Sequence, residues 1–152
     1  MNRKFKFSVL VTALSIVLTV VPVMAAPPLE VHIEHPYDPT PGPFTATGPA
    51  VDTGVVCPTG DVSSLSVIFS GPPGGTFRIL RVLKQFVCDD GSGTFDVKLV
   101  VRLDLTTPGT TASWRVVGGT GDYVGLHGNG KLVGIPIVPG SGILDIYDGR
   151  MH

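Results

Sequence analysis

Residues 95–105 read "FDVKLVVRLDL" and alternate for their whole length. Phe95, Val97, Leu99, Val101, Leu103 and Leu105 fall on one side of an extended chain. Asp96, Lys98, Val100, Arg102 and Asp104 fall on the other. Successive side chains of a strand point to opposite faces, so this pattern specifies a long strand with one dry face and one wet face. The preceding segment, "TFRILRVLKQFVC" at 76–88, joins it through "DDGSG", a short glycine-bearing hairpin loop. Further strands are expected at 44–46, 53–57, 65–69, 112–117, 131–138 and 143–151, which makes about eight. Helix is almost absent beyond the first 25 residues. Short strands separated by closely spaced turn signals point to an all-β fold, a single antiparallel barrel of about eight strands. A barrel of that size is filled by its own side chains or holds one small ligand.

Segment 76–88 is less regular than its partner. Phe77, Ile79, Arg81, Leu83, Gln85 and Val87 share one face; Arg78, Leu80, Val82, Lys84, Phe86 and Cys88 share the other. Both faces are mixed. A bulge that switches the register partway accounts for this, and so does an inner face that carries polar groups. If Leu83 and Val87 point inward, Arg81 and Gln85 do as well, and a buried arginine must be paired or must bind something anionic. Arg81 and Gln85 are therefore candidate lumen residues for ligand binding, and Trp114, on a separate strand, is a candidate for the lumen wall. In the last strand Asp145 and Tyr147 share a face opposite Leu144, Ile146, Asp148 and Arg150. Its polar load reads as a strand end leaving the barrel for water.

The chain opens with a basic stretch (Arg3, Lys4, Lys6), an apolar run from Phe7 to Val21, Pro22, and small residues before Ala26. This is the layout of a secretory signal peptide cleaved after Ala25. The apolar run is shorter than the ~20 residues of a spanning helix, so no membrane anchor is expected after cleavage. Removal of three basic residues leaves eight basic against twelve acidic side chains, a net charge of −4. That is not the basic footprint of a nucleic-acid-binding protein. Residues 26–43, rich in proline and without lasting periodicity, read as an extended arm before a barrel domain at 44–152. Export makes a disulfide the expected state of Cys57 and Cys88. Each ends an apolar run and precedes a turn signal, as at neighbouring strand ends.

Residues 114–134, "WRVVGGTGDYVGLHGNGKLVG", hold seven glycines. From Gly125 to Leu132 they nearly spell a phosphate-binding GxxxxGK[ST] loop. Leu132 lacks the required hydroxyl, and Pro136 with its β-branched neighbours cannot open the required helix. The spacing GxGxxxG is one residue too long for a dinucleotide fingerprint and lacks a β-α-β context. The glycines read instead as a barrel corner: a strand ends at Val117, "DYVGL" makes one compact turn plugged by Tyr123 and Leu126, and Asn129-Gly130 opens the next strand. "EVHIEH" puts His32 and Glu34 on one side of an extended chain and His35 on the other, which is not a metal-binding arrangement. No metal, cofactor or catalytic residue is assigned.

Thr111 to Lys131, followed by "ILDIYDGRMH", resembles the C-terminal half of allene oxide cyclase and dirigent-like barrels. The likeness is greatest to small bacterial members of unknown function, through a Trp strand, a GTG-x-aromatic-x-GL-x-G-x-G corner and a final Asp/Tyr strand. The resemblance implies a barrel over Phe44 to His152 and transfers no site residues, because fold does not fix function. The leading expectation is a secreted or periplasmic, non-catalytic barrel that binds a small apolar or amphipathic ligand or a surface partner. The alternatives are a cofactor-free cyclase or isomerase, as the resemblance implies, and a structural exoprotein that forms homo-oligomers.

Overall fold

The computed structural model describes residues 27–37, 41–72, 74–107, 109–137 and 142–152. Its strands are β1 (Leu29–Tyr37), β2 (Gly42–Thr47), β3 (Thr59–Ser70), β4 (Phe77–Cys88), β5 (Thr94–Asp104), β6 (Thr110–Gly119), β7 (Gly128–Pro136) and β8 (Ile143–Met151). Each pairs with the next in sequence, and β8 pairs with β1, so the sheet closes as an eight-stranded barrel. Every pairing is antiparallel. The helical elements among the described residues are one turn at Pro49–Asp52 (α1) and a 3-10 turn at Gly121–Tyr123. The expected fold class is the observed one. The expected signal peptide lies outside the described residues.

Three local expectations are corrected. Much of the segment read as an arm is β1, which pairs with β8 over its whole length, from Leu29↔Met151 to Tyr37↔Ile143. Its interior side, Val31, Ile33 and His35, is buried. The segment at 53–57 is not a strand; Thr53 caps α1, and Val56 packs into the core below it. The register switch expected in β4 lies in its neighbour: Ser64 pairs with Lys84 and Ser66 with Leu83, leaving Leu65 as the extra residue of β3. β4 itself runs against β5 without a break, from Phe77↔Asp104 to Val87↔Thr94.

One barrel end is filled. Phe86 stacks on Phe95 at 4.7 Å, and Phe44 and Tyr147 meet Phe86 edge-on at 5.2 and 5.8 Å. Aromatic pairs in these geometries contribute about 0.5–1.5 kcal/mol each beyond the area they bury. Tyr123 closes this end from the 3-10 turn, edge-on to Phe95 at 5.6 Å, with its hydroxyl 2.8 Å from that of Ser92 in the β4–β5 hairpin. Gly121 makes the corner possible. Its φ of 60° is the left-handed region, and a Cβ there would run into the Ser92 carbonyl. Leu126 is buried beside it. The corner thus forms as the glycine spacing predicts.

The strand glycines serve a different purpose. A Cβ on Gly130 would approach the Trp114 indole to 2.7 Å, and one on Gly149 would overlap it. β7 and β8 therefore leave a slot for the chain's single tryptophan, whose Nε1–H donates to the Lys131 carbonyl at 2.9 Å.

Cys57 and Cys88 form the expected disulfide, with their Cα atoms 6.0 Å apart. It ties the end of β4 to the segment linking α1 with β3. Among the described residues no helix is long and apolar enough to cross a membrane.

Candidate functional site

Strand alternation decides which side chains meet inside the barrel. On β4 the buried side is Val82, Lys84, Phe86 and Cys88. On β8 it includes Asp145, Tyr147 and Met151, and on β1 it is Val31, Ile33 and His35. Above the aromatic floor these three strands each contribute one polar residue. His35, Lys84 and Asp145 are 2, 3 and 7 % exposed.

Lys84 and Asp145 form a direct ion pair, in which the ammonium donates to Oδ2 at 2.8 Å. The ammonium also lies 5.7 Å from the centre of the Tyr147 ring. Burial pushes the Lys84 ammonium below the ordinary lysine range, and the Asp145 carboxylate opposes that shift. His35 is held by its Nδ1, 2.9 Å from the Pro43 carbonyl. A carbonyl only accepts, so Nδ1 carries the proton in this contact. Burial depresses the His35 pKa first, and the neighbouring Lys84 charge adds to that; the Pro43 contact and Asp145 act the other way.

The pair floors a cavity of about 200 Å³. Its walls are aliphatic: Val67, Leu80, Val82, Leu99, Val101, Leu103, Leu132 and Ile143, with Thr110. Gly134 keeps the space beside the carboxylate open, because a Cβ there would sit 3.2 Å from Asp145 Oδ1 and overlap the Thr110 hydroxyl. The strand ends at Leu80, Leu103 and Ile143 put the cavity at the end of the barrel opposite the Tyr123 plug. An apolar chamber with a few convergent polar groups is the usual form of a small-molecule site.

Of the three residues expected in the lumen, Trp114 is inside and forms part of the packed floor rather than the cavity wall. Arg81 and Gln85 are on the outer face. Arg81 lines an external hollow with Ser66, Ile68 and Lys98, and Gln85 donates to Asp96 across the hairpin at 3.2 Å. The inner face of β4 does carry a polar group, as one of the two sequence readings allowed, but that group is Lys84. Asp145 likewise stays inside instead of leaving for water. A signal for the correct face was present: a cysteine expected in a disulfide is buried, and Lys84 and Phe86 share the side of Cys88. The residues of "EVHIEH" divide as the alternation predicts. His32 and Glu34 lie outside, where His32 contacts Asp148 at 2.7 Å and Glu34 at 3.3 Å, and His35 lies inside. Comparison of the chain with protein-family models, curated proteins and solved structures finds no match.

Proposed function

We propose that this chain is an exported, non-catalytic binding module that takes a small, uncharged, largely apolar ligand into its barrel. The observation that carries the reading is the aliphatic cavity of about 200 Å³ over the Lys84–Asp145 pair. It is smaller than the ~300–1,000 Å³ typical of drug-sized ligands. It exceeds the ~150 Å³ hydrocarbon cavity that stays dry and binds benzene, so ligands of roughly six to ten non-hydrogen atoms fit. The pair is neutral as a unit. An anionic head group would meet Asp145 and a cationic one would meet Lys84, so a neutral polar head is favoured. The buried disulfide is compatible with an extracellular or periplasmic address. Kinship with the allene oxide cyclase and dirigent-like barrels belongs to the same proposal and rests on the corner motif.

Methyl NMR during titration with benzyl alcohol tests the reading. Val82, Val101 and Leu132 methyls should shift saturably, and Leu132→Trp, which narrows the chamber by an indole ring, should weaken the Val82 and Val101 shifts. A titration that moves only outer-face methyls, or none, overturns it.

A second reading, a self-associating exoprotein, is favoured by β3. β2 pairs with β3 only as far as Val62, so among the described residues the strand beyond it pairs on one side alone, with β4. Leu65, Ile68 and Phe69 there are 51, 59 and 66 % exposed. The run 62–70 has no charge, so a second copy can add to this edge without repulsion. Sedimentation velocity of the wild type and of Ile68→Lys decides: association that the lysine removes supports this reading, and a monomer at all concentrations excludes it.

A further inference from the structure

We infer that Lys84 captures small apolar aldehydes as a protonated imine inside the barrel, with Asp145 as the proton acceptor and counter-ion. The inference rests on the small-ligand reading above and deepens it by naming a ligand class. Three features of the chamber support it. Lys84 is a primary amine, 3 % exposed, in the floor of an aliphatic cavity whose size matches a small carbonyl compound. Asp145 stands 2.8 Å from Nζ, within reach for direct proton transfer. The neutral pair discriminates against carboxylates and amines but accepts a carbonyl, whose oxygen an ammonium polarises. Burial already disfavours the charged amine, which helps the nucleophilic form appear.

The step balances without any further reagent. The ammonium passes a proton to the Asp145 carboxylate, and the neutral amine forms a C–N bond to the aldehyde carbon. The protonated Asp145 carboxyl returns its proton to the resulting carbinolamine hydroxyl, which leaves as water. A protonated imine then lies against the Asp145 carboxylate, in place of the original ammonium. Net charge is unchanged, no group is oxidised or reduced, and the reverse step with water releases the aldehyde. The Tyr147 ring, also from β8, and His35 from β1 bear on Nζ as well.

Benzaldehyde is the probe, with cyanoborohydride to fix the imine as a benzyl amine that peptide mass spectrometry can map. The described chain offers two comparison lysines on its outer face, Lys98 and Lys131. Lys84 should be benzylated at least about tenfold faster than either, as expected for an amine and a carbonyl held together in one site. Excess benzyl alcohol should suppress labelling at Lys84 and not at Lys98 or Lys131. Asp145→Asn should slow it. Lys84→Arg keeps a cation but cannot form the imine, and should lose the rapid label while still giving methyl shifts with benzyl alcohol. Two results overturn the inference: Lys84 labelled no faster than Lys98 and Lys131, or labelling at Lys84 that benzyl alcohol leaves unchanged. If Lys84 is inert while benzyl alcohol still shifts the cavity methyls, the covalent step fails and the binding reading stands. If benzyl alcohol shifts nothing, the binding reading fails as well.

Discussion

Lys84 and Asp145 illustrate how a barrel can keep charges in its interior. Each would be costly alone, and together they leave a neutral pair bounded by aliphatic wall above and aromatic floor below. Breaking a buried pair from one side costs about 3–5 kcal/mol, whereas replacing both members by apolar groups is often neutral. Urea denaturation should therefore show Asp145→Leu and Lys84→Met each strongly destabilised and the double variant near wild type. Additive losses in the double variant would mean that the two side chains act independently. The histidines give a second residue-scale prediction. Burial lowers the His35 pKa below the usual 6.5, so on acidification the unfolded chain takes up a proton that the folded chain refuses. Stability then falls as pH drops below about 6.5. His32 is the opposite case: its bond to Asp148 raises its pKa, so its contribution is present at low pH and is lost as pH rises through the folded value. Stability measured between pH 5 and 7 should show less acid loss in His35→Gln, which retains a donor for Pro43, and more in His32→Asn.

At the scale of elements, the β4–β5 hairpin organises the filled end, and the disulfide fastens a non-strand segment to it. Cross-linking residues 31 apart in sequence should stabilise the fold by roughly 3–4 kcal/mol through lost unfolded-state entropy. Cys57→Ala/Cys88→Ala should lower the urea midpoint accordingly without altering the aromatic cluster, as near-ultraviolet dichroism would report; an unchanged midpoint would refute the estimate. The strands most readable in the sequence are those whose alternation is uninterrupted, β5 above all. β4 was readable as a strand but not as an oriented one. Arg81 and Lys84 sit among aliphatic neighbours on both faces, and orientation is decided by pairings such as Phe86↔Phe95 across the hairpin. For the same reason the candidate site was legible only in kind. A polar group inside the barrel could be anticipated, but the ion pair joins positions 61 apart in sequence, and no local pattern links them. The sequence pattern and the structure agree on eight strands only because an apolar run at 53–57 imitates a strand while β1, in a proline-rich stretch, does not resemble one.

Closure of the whole molecule depends on β1. Pro36 and the prolines that follow it make residues 26–43 look like an arm, yet proline is tolerated in a strand where its missing N–H is not required. The partner that orders β1 is β8, at the far end of the chain, with nine register pairs from Leu29↔Met151 to Tyr37↔Ile143. An arm and a barrel stave make opposite demands on a truncated chain. If residues 27–37 were an arm, their deletion would leave the barrel intact and shift its stability by little. As β1 they bury Val31, Ile33 and His35, cover one edge of β8, and connect it to β2. Their loss opens the barrel, exposes two edges and unroofs the Tyr147 side of the floor. The truncated chain should therefore lose cooperative thermal unfolding and dispersed methyl resonances. A synthetic peptide of residues 27–37, added in trans, should restore both by pairing with β8. A truncated chain that unfolds cooperatively near the wild-type temperature would show that closure by β1 is dispensable.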